Sequence, residues 1–258
     1  MKNEIKPKIL LIDIETQPNL AWVWGKWEQN VIEFKQEWCI ISFAYKWLGE
    51  KKTHVMALPD FKGYKPNTAN DKKLILYIYK LFDEASIIIA QNGDAFDIKK
   101  INTRFIYYGL KPTSPYKTVD TLKVAKNQFS FSSNSLNELG KYLGLGEKKE
   151  THGFKTWLGC MNGDKKSWDI MRKYNSGDIE LLEKVYMKLL PWIKNHPTMG
   201  LYNGKPISCP NCGSEHLQVR GTQVNKTCRY KRLHCQDCGT WSKTAHKEEQ
   251  KEKPLVGV

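Results

Sequence analysis

The feature that most constrains the fold of this chain is a set of four acidic residues at three widely separated places. They are Asp13 and Glu15 in the segment ILLIDIET, Asp97 in QNGDAFD, and Asp178 in MRKYNSGDIELL. Like charges that are crowded together cannot all stay ionised, so a fold that gathers these carboxylates needs a counter-charge. Mg²⁺ or Mn²⁺ would supply it, because these ions prefer oxygen ligands. The set therefore predicts two divalent cations around a phosphodiester, which is the site of a metal-dependent nuclease.

The spacing of these residues predicts that they can meet. Residues 8–14 read as a buried central strand, because the run is short, continuous and apolar. Asp13 and Glu15 then leave its carboxyl end on one face, since side chains two apart in a strand point the same way. Apolar residues recur every three to four positions around Asp178, which indicates a helix that carries Tyr174 on the same side. In isolation this pair would also fit a half-buried ring and a surface charge.

Asp97 stands at the start of a predicted helix, residues 95–108, which follows an apolar strand at residues 86–90 and an Asn92-Gly93 turn. Strand, turn and helix form an α/β unit. Ordinary structural roles also fit this segment. Asp94 is interpreted as the N-cap of the helix, and Asp97 taken alone as a first-turn acid beside the positive helix end. The occurrence of all the acidic motifs in this order favours a site that includes Asp97.

Three segments of the chain resemble the exonuclease motifs of the DEDD superfamily. A Tyr four residues before the last Asp is typical of the DEDDy branch, whereas the DEDDh branch has a His five residues before it, where this chain has Lys173. The similarity is greatest to the proofreading exonuclease domain of family B DNA polymerases and to stand-alone relatives, often phage-encoded. It implies an RNase H-like fold over roughly residues 5–195. The segments are Asp13-Ile14-Glu15-Thr16, Asn92-Gly93-Asp94-Ala95-Phe96-Asp97 and Tyr174-Asn175-Ser176-Gly177-Asp178.

This resemblance implies a role for each residue of the acidic set. Asp13 would bridge two Mg²⁺ or Mn²⁺ ions. Glu15 and Asp178 would complete the site of the ion that activates the nucleophile, and Asp97 would hold the second ion largely through water. Tyr174 would orient the attacking water. A general base is then hardly needed, because a metal ion lowers the pKa of its bound water.

The resemblance also implies 3′-5′ exonuclease activity on nucleic acid, with DNA favoured over RNA and single strands in particular. Asn92 and Phe96 would lie near the terminal nucleotide and under the site. Trp22 lies in an aromatic-rich stretch just after the first strand; core packing is the default for such a residue, and stacking on an unpaired 3′ end is the alternative. No polymerase domain is expected in 258 residues, so any proofreading would act in trans.

Two Cys-x-x-Cys segments near the C-terminus are each followed by Gly. They contain Cys209 with Cys212 and Cys235 with Cys238, separated by twenty-two residues that suit a hairpin. This pattern predicts a structural zinc ribbon in which four thiolates hold one Zn²⁺. Disulfides or a redox dithiol are the alternatives. Seven cysteines without a signal peptide indicate a reducing cytosol, which argues against disulfides, and a thioredoxin-like context is missing.

The charge of the chain indicates nucleic acid as a partner, as the acidic motifs do. The formal net charge is +14, and the segment after residue 200 is rich in Lys and Arg. Arg229, Lys231 and Arg232, with Trp241 nearby, suit a phosphate backbone and stacked bases. A charged surface without a ligand is the alternative.

The sequence thus predicts an α/β fold with an RNase H-like mixed sheet flanked by helices, plus a small C-terminal zinc ribbon. Residues 71–85 are predicted to be an amphipathic helix and residues 146–167 a loop. Asp120 resembles an acidic position near the site in some relatives of this family, but it is expected to cap the helix that follows it. The predicted boundaries are 1–200 for the exonuclease domain, 201–246 for the nucleic-acid-binding ribbon and 247–258 for a flexible tail.

The expected location is the cytoplasm, or the host cytoplasm if the protein is phage-encoded. No apolar run approaches the roughly 18 residues of a membrane span. Replication or recombination partners stay open. Two other functions stay open as well: a structure-specific or RNA-directed nuclease on the same fold, and a non-catalytic adaptor that binds nucleic acid through the ribbon.

Overall fold

The computed structural model describes residues 7–27 and 30–247. Within these residues the chain divides into two compact units, one of residues 8–186 and one of residues 187–247 together with residue 7. The predicted domain boundaries stay predictions, and residues 248–258 of the predicted tail lie outside the described residues. None of the described helices is long and apolar enough to span a membrane.

The first unit is built on a five-stranded sheet. Its strand order is β5-β4-β1-β6-β7, in which β1 pairs antiparallel with β4 and parallel with β6. This arrangement confirms the predicted mixed sheet. Residues 9–12 of β1 are buried, as expected for a central strand. The strands of the unit are β1 (Ile9–Thr16), β2 (Leu20–Trp22), β3 (Glu33–Gln36), β4 (Ile40–Trp47), β5 (His54–Ala57), β6 (Ile87–Ala90) and β7 (Lys117–Asp120).

Helices flank this sheet and begin close to the predicted positions. The helix predicted at residues 71–85 is confirmed, and its inward residues Leu74, Ile78 and Phe82 are buried. The helices are α1 (Lys72–Glu84), α2 (Asp97–Tyr107), α3 (Thr121–Gln128), α4 (Leu136–Tyr142), α5 (Phe154–Met161), α6 (Lys165–Leu189) and, in the second unit, α7 (Met199–Tyr202). Short 3-10 turns lie at Leu58–Asp60 and Leu190–Trp192.

The prediction of a loop over residues 146–167 is wrong in its second half. Helix α5 occupies Phe154–Met161. The segment is rich in polar and small residues, but Trp157, Cys160 and Met161 lie three and four positions apart and turn one face toward the core, where Cys160 and Met161 are buried. That short apolar face is enough to form a two-turn helix against the core.

A buried ion pair ties α1 to α2 and to β4. The Asp71 carboxylate is fully buried and accepts hydrogen bonds from the Arg104 guanidinium, from the Tyr108 hydroxyl at 2.7 Å and from the Ile40 backbone N–H at 2.9 Å. These donors satisfy the charge, which would otherwise be costly to bury. The contact fixes α2, which begins with Asp97, against the sheet.

The second unit contains a three-stranded antiparallel sheet of order β10-β9-β8. Its strands are β8 (Leu217–Val224), β9 (Arg229–Cys235) and β10 (Trp241–Lys243). The predicted hairpin between the two cysteine pairs is therefore confirmed as β8–β9. The hairpin carries a bulge between Val219 and Thr222, where Gly221 adopts a positive φ of 75°.

Candidate functional site

Three of the four acidic residues meet at the carboxyl end of β1. Asp13 and Glu15 project from that strand end, and Asp178 projects from α6. One carboxylate oxygen of each lies within 4.8 Å of the others. Asp178 is almost completely buried, at 1% exposure. Strand β1 and helix α6 thus bring the three carboxylates to one place.

Asp97 lies beside this group as the first residue of α2. Its carboxylate is buried and accepts the backbone N–H of Ile14 at 3.1 Å, so it is fixed against β1. Its charge raises the pKa of both Asp13 and Glu15. Asp97 is therefore an electrostatic neighbour of the group rather than one of its three closest members. We call Asp13, Glu15, Asp97 and Asp178 the acidic cluster.

Lys148 is a cation of this site that the sequence did not reveal. Its ammonium group donates to the Asp178 carboxylate at 2.7 Å and to the Tyr174 hydroxyl at 3.0 Å, and it lies 5.0 Å from the centre of the Tyr174 ring. The residue belongs to the segment between α4 and α5, which shows no periodicity. A single Lys in such a segment carries no sequence signal.

Two further side chains hold the acidic cluster in place. The buried amide of Asn175 donates to the Asp13 carboxylate at 2.7 Å and accepts the Ser42 hydroxyl at 2.9 Å, which links α6 to β1 and β4. The Trp157 indole donates a hydrogen bond to Glu15 and packs edge-on against Tyr174, with ring centres 6.2 Å apart. Neither residue was predicted to belong to the site.

Burial raises the pKa of every carboxyl of the acidic cluster. It acts together with the negative neighbours to raise the pKa of Asp13 well above its usual range and that of Glu15 to about 8. Burial and the charge of Asp120 raise the pKa of Asp97 to about 7, although backbone hydrogen bonds oppose the change. Burial likewise raises the pKa of Asp178, against the effect of Lys148. The cluster therefore holds protons or cations at neutral pH.

The donor set of the acidic cluster fits a divalent cation. Carboxylate oxygens are the ligands that Mg²⁺ and Mn²⁺ prefer. The Oδ1 atom of Asp178 is buried and has no hydrogen-bond partner among the described residues. A buried carboxylate oxygen without a partner is costly, and a cation beside Asp13 and Glu15 would satisfy it.

The loop between β6 and α2 is ordered by Asp120. Its carboxylate accepts the backbone N–H groups of Asn92 at 2.9 Å and Asp94 at 3.3 Å, and it caps α3 through Leu122 at 3.0 Å. The capping prediction for Asp120 is confirmed. The N-cap prediction for Asp94 is wrong, because α2 begins at Asp97 and the Asp94 carboxylate pairs with Lys123 at 2.7 Å.

The two candidate substrate residues of this loop differ in their surroundings. Asn92 adopts a positive φ of 60° and lines a cleft of about 560 Å³ together with Asp13 and Lys148. Phe96 is 38% exposed, with the Lys100 ammonium 5.5 Å from its ring centre. Asn92 therefore opens onto the acidic cluster, while Phe96 lies at the surface beside Lys100.

Trp22 lies on a two-stranded hairpin, β2–β3, outside the five-stranded sheet. It is 59% exposed, and the Lys35 ammonium lies 5.7 Å from its ring centre. Core packing, the default interpretation for this aromatic stretch, is wrong for Trp22, because its side chain is exposed on the hairpin. Trp38 and Trp47 are half-buried against the main core.

The four cysteines of the two Cys-x-x-Cys segments form a cluster in the second unit. Their sulfur atoms lie within 4.8 Å of one another, with Cys209 3.6 Å from Cys238 and Cys212 3.6 Å from Cys235. A disulfide needs about 2.05 Å, so these thiols are free. Thiolates around a tetrahedral Zn²⁺ with bonds of about 2.3 Å lie about 3.8 Å apart. The cluster has the spacing of such a site.

Both cysteine segments fold in the same way. Gly213 and Gly239 take positive φ angles of 78° and 81° and donate their N–H groups back to Cys209 at 2.9 Å and Cys235 at 3.1 Å. Burial raises the pKa of Cys235, but the backbone N–H groups of Cys238 and Asp237 outweigh that effect and lower it to about 7. This turn thus favours a thiolate.

One face of the three-stranded sheet combines basic and aromatic side chains. Trp241 lies opposite His234 and Lys243 opposite Arg232 in the β9–β10 register, which places all of them on the face of Tyr230. The Arg232 guanidinium lies 5.1 Å from the Trp241 ring centre, and the Lys243 ammonium 4.2 Å from that of Tyr230. We call these five residues the basic aromatic face.

Arg229 and Lys231 do not belong to the basic aromatic face. They alternate with Tyr230 and Arg232 along β9, so they point to the other side of the sheet, the side of Cys235. The four substrate residues predicted in the ribbon are therefore split. Only Arg232 and Trp241 lie together.

Comparisons with known proteins agree with this fold. The family model described as RNase_H superfamily matches residues 10–190, which contain the whole acidic cluster. A PolC-type DNA polymerase III of Ureaplasma parvum serovar 3 is 32% identical over 102 residues, which are 39% of this chain and 7% of that polymerase. The family B DNA polymerase of the hyperthermophilic archaeon Pyrobaculum calidifontis shares the fold, with a TM-score of 0.54 over 88% of this chain and 32% of the polymerase, at 14% identity. The chain thus spans a small part of each polymerase.

The raised carboxyl pKa values predict how stability depends on pH. Without a divalent cation, the folded protein keeps protons on Glu15 and Asp97 that the unfolded chain releases above about pH 4 to 5. We therefore expect the Tm in a chelator to fall as pH rises from about 6 toward 8, the pKa of Glu15. Added Mg²⁺ should raise the Tm more at the upper end of this range. Protons compete with Mg²⁺ for the same carboxylates, and fewer protons are bound at higher pH.

Thermal unfolding at several pH values, with chelator or with Mg²⁺, measures this effect. The variant Asp178→Asn should show a smaller response to Mg²⁺. The matched control is Asp169→Asn, because Asp169 is exposed on the same helix and should behave as wild type. A Mg²⁺ effect of the same size at every pH would contradict the assignment of buried, protonated carboxyls.

Proposed function

The chain belongs to the RNase_H superfamily, and on that premise we propose that it is a metal-dependent 3′-5′ exonuclease of the DEDDy type. Its substrate is nucleic acid, with single-stranded DNA preferred. One observation carries the proposal: the carboxylate oxygens of Asp13, Glu15 and Asp178 lie within 4.8 Å of one another, with Tyr174 one turn away from Asp178. The names of the two polymerases support DNA as the substrate class.

The acidic cluster would hold the catalytic metals. Asp13, Glu15 and Asp178 supply the closest oxygens, and Asp97 lies beside them to assist a second ion. When bound, two Mg²⁺ or Mn²⁺ ions lower the pKa of a water molecule and stabilise the leaving oxygen. The Asn175 amide keeps the Asp13 carboxylate in position. Bound cations would also relieve the repulsion among the carboxylates, because they would replace the protons that burial favours on these groups.

Tyr174 is placed to orient the attacking water. Burial and the charge of Asp178 raise the pKa of its hydroxyl to about 12, so it stays protonated at neutral pH. The Lys148 ammonium can only donate, so the Tyr174 oxygen accepts from it, while the Tyr174 hydroxyl donates a hydrogen bond to the Asp178 carboxylate. A cation held by Asp178 would compete for that carboxylate, and the hydroxyl hydrogen would then be available to orient a water. The tyrosine would thus act as a donor that positions the nucleophile rather than as a base.

The second unit would bind the nucleic acid strand and hold one Zn²⁺. The sulfur spacing of the four cysteines supports zinc, which would stabilise the two turns at the open end of the β8–β9 hairpin, one before β8 and one after β9. The basic aromatic face offers cations for phosphates and rings for bases. Its residues Arg232 and Trp241 are the preferred contacts, and Arg229 and Lys231 are secondary.

Replacement of a metal ligand should abolish cleavage but retain binding. Loss of an outer-shell partner already costs 10- to 100-fold in metal sites, so Asp13→Asn and Asp178→Asn should each lower the rate by at least about 100-fold. Asp169→Asn is the control. The measurement is stepwise shortening of a 5′-labelled single strand in Mg²⁺, together with the Kd for that strand in a chelator.

Several outcomes separate this proposal from its alternatives. Stepwise shortening from the 3′ end is expected. Internal cuts at a branched junction would indicate a structure-specific nuclease, and faster cleavage of RNA an RNA-directed one. Binding without cleavage by the wild type, over a range of Mg²⁺ and Mn²⁺ concentrations, would leave the adaptor function.

The two faces of the ribbon sheet should differ in their effect on affinity. Arg232→Ala and Lys231→Ala each remove one positive charge from neighbouring positions on opposite faces. We expect Arg232→Ala and Trp241→Ala to weaken binding of a single strand several-fold, with about five-fold or more for the loss of a stacking ring. Lys231→Ala should have a smaller effect. Equal losses for Lys231→Ala and Arg232→Ala in fluorescence anisotropy would contradict the assignment.

Metal analysis tests the zinc assignment. Protein purified without added zinc is expected to contain one zinc ion per chain, and Cys212→Ser should lose it, because a tetrahedral site needs all four sulfurs. Cys228→Ser is the matched control, since Cys228 lies outside the cluster. Full zinc content in Cys212→Ser would show that the four thiolates are not the ligands.

A further inference from the structure

A basic cavity lies between the 3-10 turn that follows β5 and the start of α1. It belongs to the first unit, and its volume is about 140 Å³. Four exposed lysines line it, and none of the described residues that line it is acidic. We call these four residues the lysine pocket: Lys62, Lys65, Lys72 and Lys73. The inference drawn from this pocket rests on the proposed nuclease function.

The acidic residues of this segment do not offset the charge of the lysine pocket. Asp71 lies just before α1, but its carboxylate is fully buried and pairs with Arg104. The Asp60 carboxylate accepts two hydrogen bonds from the Arg172 guanidinium, at 2.7 and 2.8 Å. Both acids are therefore already paired with another cation. A concave site that is lined by charges of one sign attracts a ligand of the opposite sign, so the pocket is suited to an anion.

Hydrogen bonds within the segment give the lysine pocket a defined shape. The Lys73 ammonium donates to the backbone carbonyl of Lys62 at 2.5 Å, which ties α1 to the preceding loop. The Thr68 hydroxyl donates to the backbone carbonyl of Lys65 at 2.7 Å, which closes a turn of that loop. An ammonium group has three hydrogens to donate, so Lys73 can bind this carbonyl and an anion at the same time. The backbone of the pocket is thus ordered before a ligand binds.

Helix α5 connects the lysine pocket to the acidic cluster. Tyr64, which also lines the cavity, donates its hydroxyl hydrogen to the backbone carbonyl of Cys160 at 3.3 Å, near the end of α5. Trp157, whose indole donates to Glu15, lies three residues earlier on the same helix. An α-helix rises about 1.5 Å per residue, so roughly 4.5 Å of helix separates the two contacts. A strand whose 3′ end lies at the acidic cluster can therefore reach the pocket with an upstream phosphate.

We propose that the lysine pocket binds a backbone phosphate of the substrate strand, several nucleotides before the 3′ end that the acidic cluster cleaves. Lysine ammonium groups bind phosphates as point charges. Such contacts position a strand without reading its sequence. The pocket therefore adds affinity that is the same for every sequence, which suits an enzyme that shortens a strand one nucleotide at a time. The four lysines are binding residues in this proposal and take no part in the chemical step.

The test locates the bound phosphate along the strand. Anisotropy gives the Kd of 5′-labelled single strands in a chelator, where nothing is cut. Each strand carries one neutral methylphosphonate linkage, which is moved one position at a time from the 3′ end. For wild type, a neutral linkage at a particular upstream position should weaken binding about three-fold or more, because it removes the charge that the lysine pocket holds.

The double variant Lys62→Gln/Lys65→Gln should bind the unmodified strand more weakly and lose nothing further at that position. The slope of log Kd against log salt concentration should become less steep by about 0.7 for each phosphate contact that is lost. Lys62→Arg/Lys65→Arg should keep the position-specific loss of wild type, which attributes the effect to charge. The matched control is Lys51→Gln/Lys52→Gln. It removes the same charge from two exposed residues between β4 and β5, beside the amino end of β1.

A wild-type protein that is equally sensitive to a neutral linkage at every position would overturn the proposal. So would a position-specific loss that persists in Lys62→Gln/Lys65→Gln, or one that disappears in Lys51→Gln/Lys52→Gln as well. The result is separable from the nuclease assignment. A position-specific loss that depends on the lysine pocket, without any metal-dependent cleavage, would retain the pocket and reject the exonuclease. Cleavage from the 3′ end without such a loss would do the reverse.

Discussion

Repulsion among buried carboxylates is the constraint on which the first unit depends. Burial raises the pKa of all four acids at the end of the central strand, and the charges of Asp97 and Asp178 raise those of Asp13 and Glu15 further. The four cannot all ionise without a compensating charge. The Lys148 ammonium offsets part of this negative charge. The Asn175 amide donates a hydrogen bond to Asp13, and the Trp157 indole donates one to Glu15. A rigid frame is needed to keep the four together, and β1, buried on both faces of the sheet, provides it.

The two units deal with charge in opposite ways. The acidic cluster is buried and collects negative charge, whereas the basic aromatic face is accessible and spreads positive charge over rings. The four cysteines form a third group. Burial raises the pKa of Cys209 and Cys212, and the backbone N–H groups of Cys238 and Asp237 lower that of Cys235, so a metal cation is needed to hold all four as thiolates. Each charged group is thus stabilised by its own neighbours. The acidic cluster is suited to a hard cation, the basic aromatic face to the phosphates of a strand, and the four cysteines to a soft metal.

Sequence periodicity predicted the parts that depend on local spacing. Asp13 and Glu15 share a face because they are two apart on a strand, and Asp178 follows Tyr174 by one helical turn, so their placement follows from spacing alone. Lys148, Asn175 and Trp157 could not be found that way, since their partners lie 30, 162 and 142 residues away. The split of Arg229 and Lys231 from Arg232 follows from alternation once β9 is known, but the position of Trp241 on the face of Arg232 needed the β9–β10 register, which composition does not contain. Helix α5 was missed because its apolar face is only three residues long.

The amide of Asn175 has a consequence for its neighbours. Its oxygen accepts the Ser42 hydroxyl while its nitrogen donates to Asp13, and both contacts are buried. An amide can rotate by half a turn and exchange these two atoms, which would point its oxygen at a carboxylate. The backbone carbonyl of Asp13 opposes that reversal, because it also accepts from the Asn175 nitrogen, at 3.3 Å, and a carbonyl can only accept. The Ser42 hydroxyl can rotate to donate or to accept, so the β1 side of the amide bridge fixes its polarity and the β4 side follows.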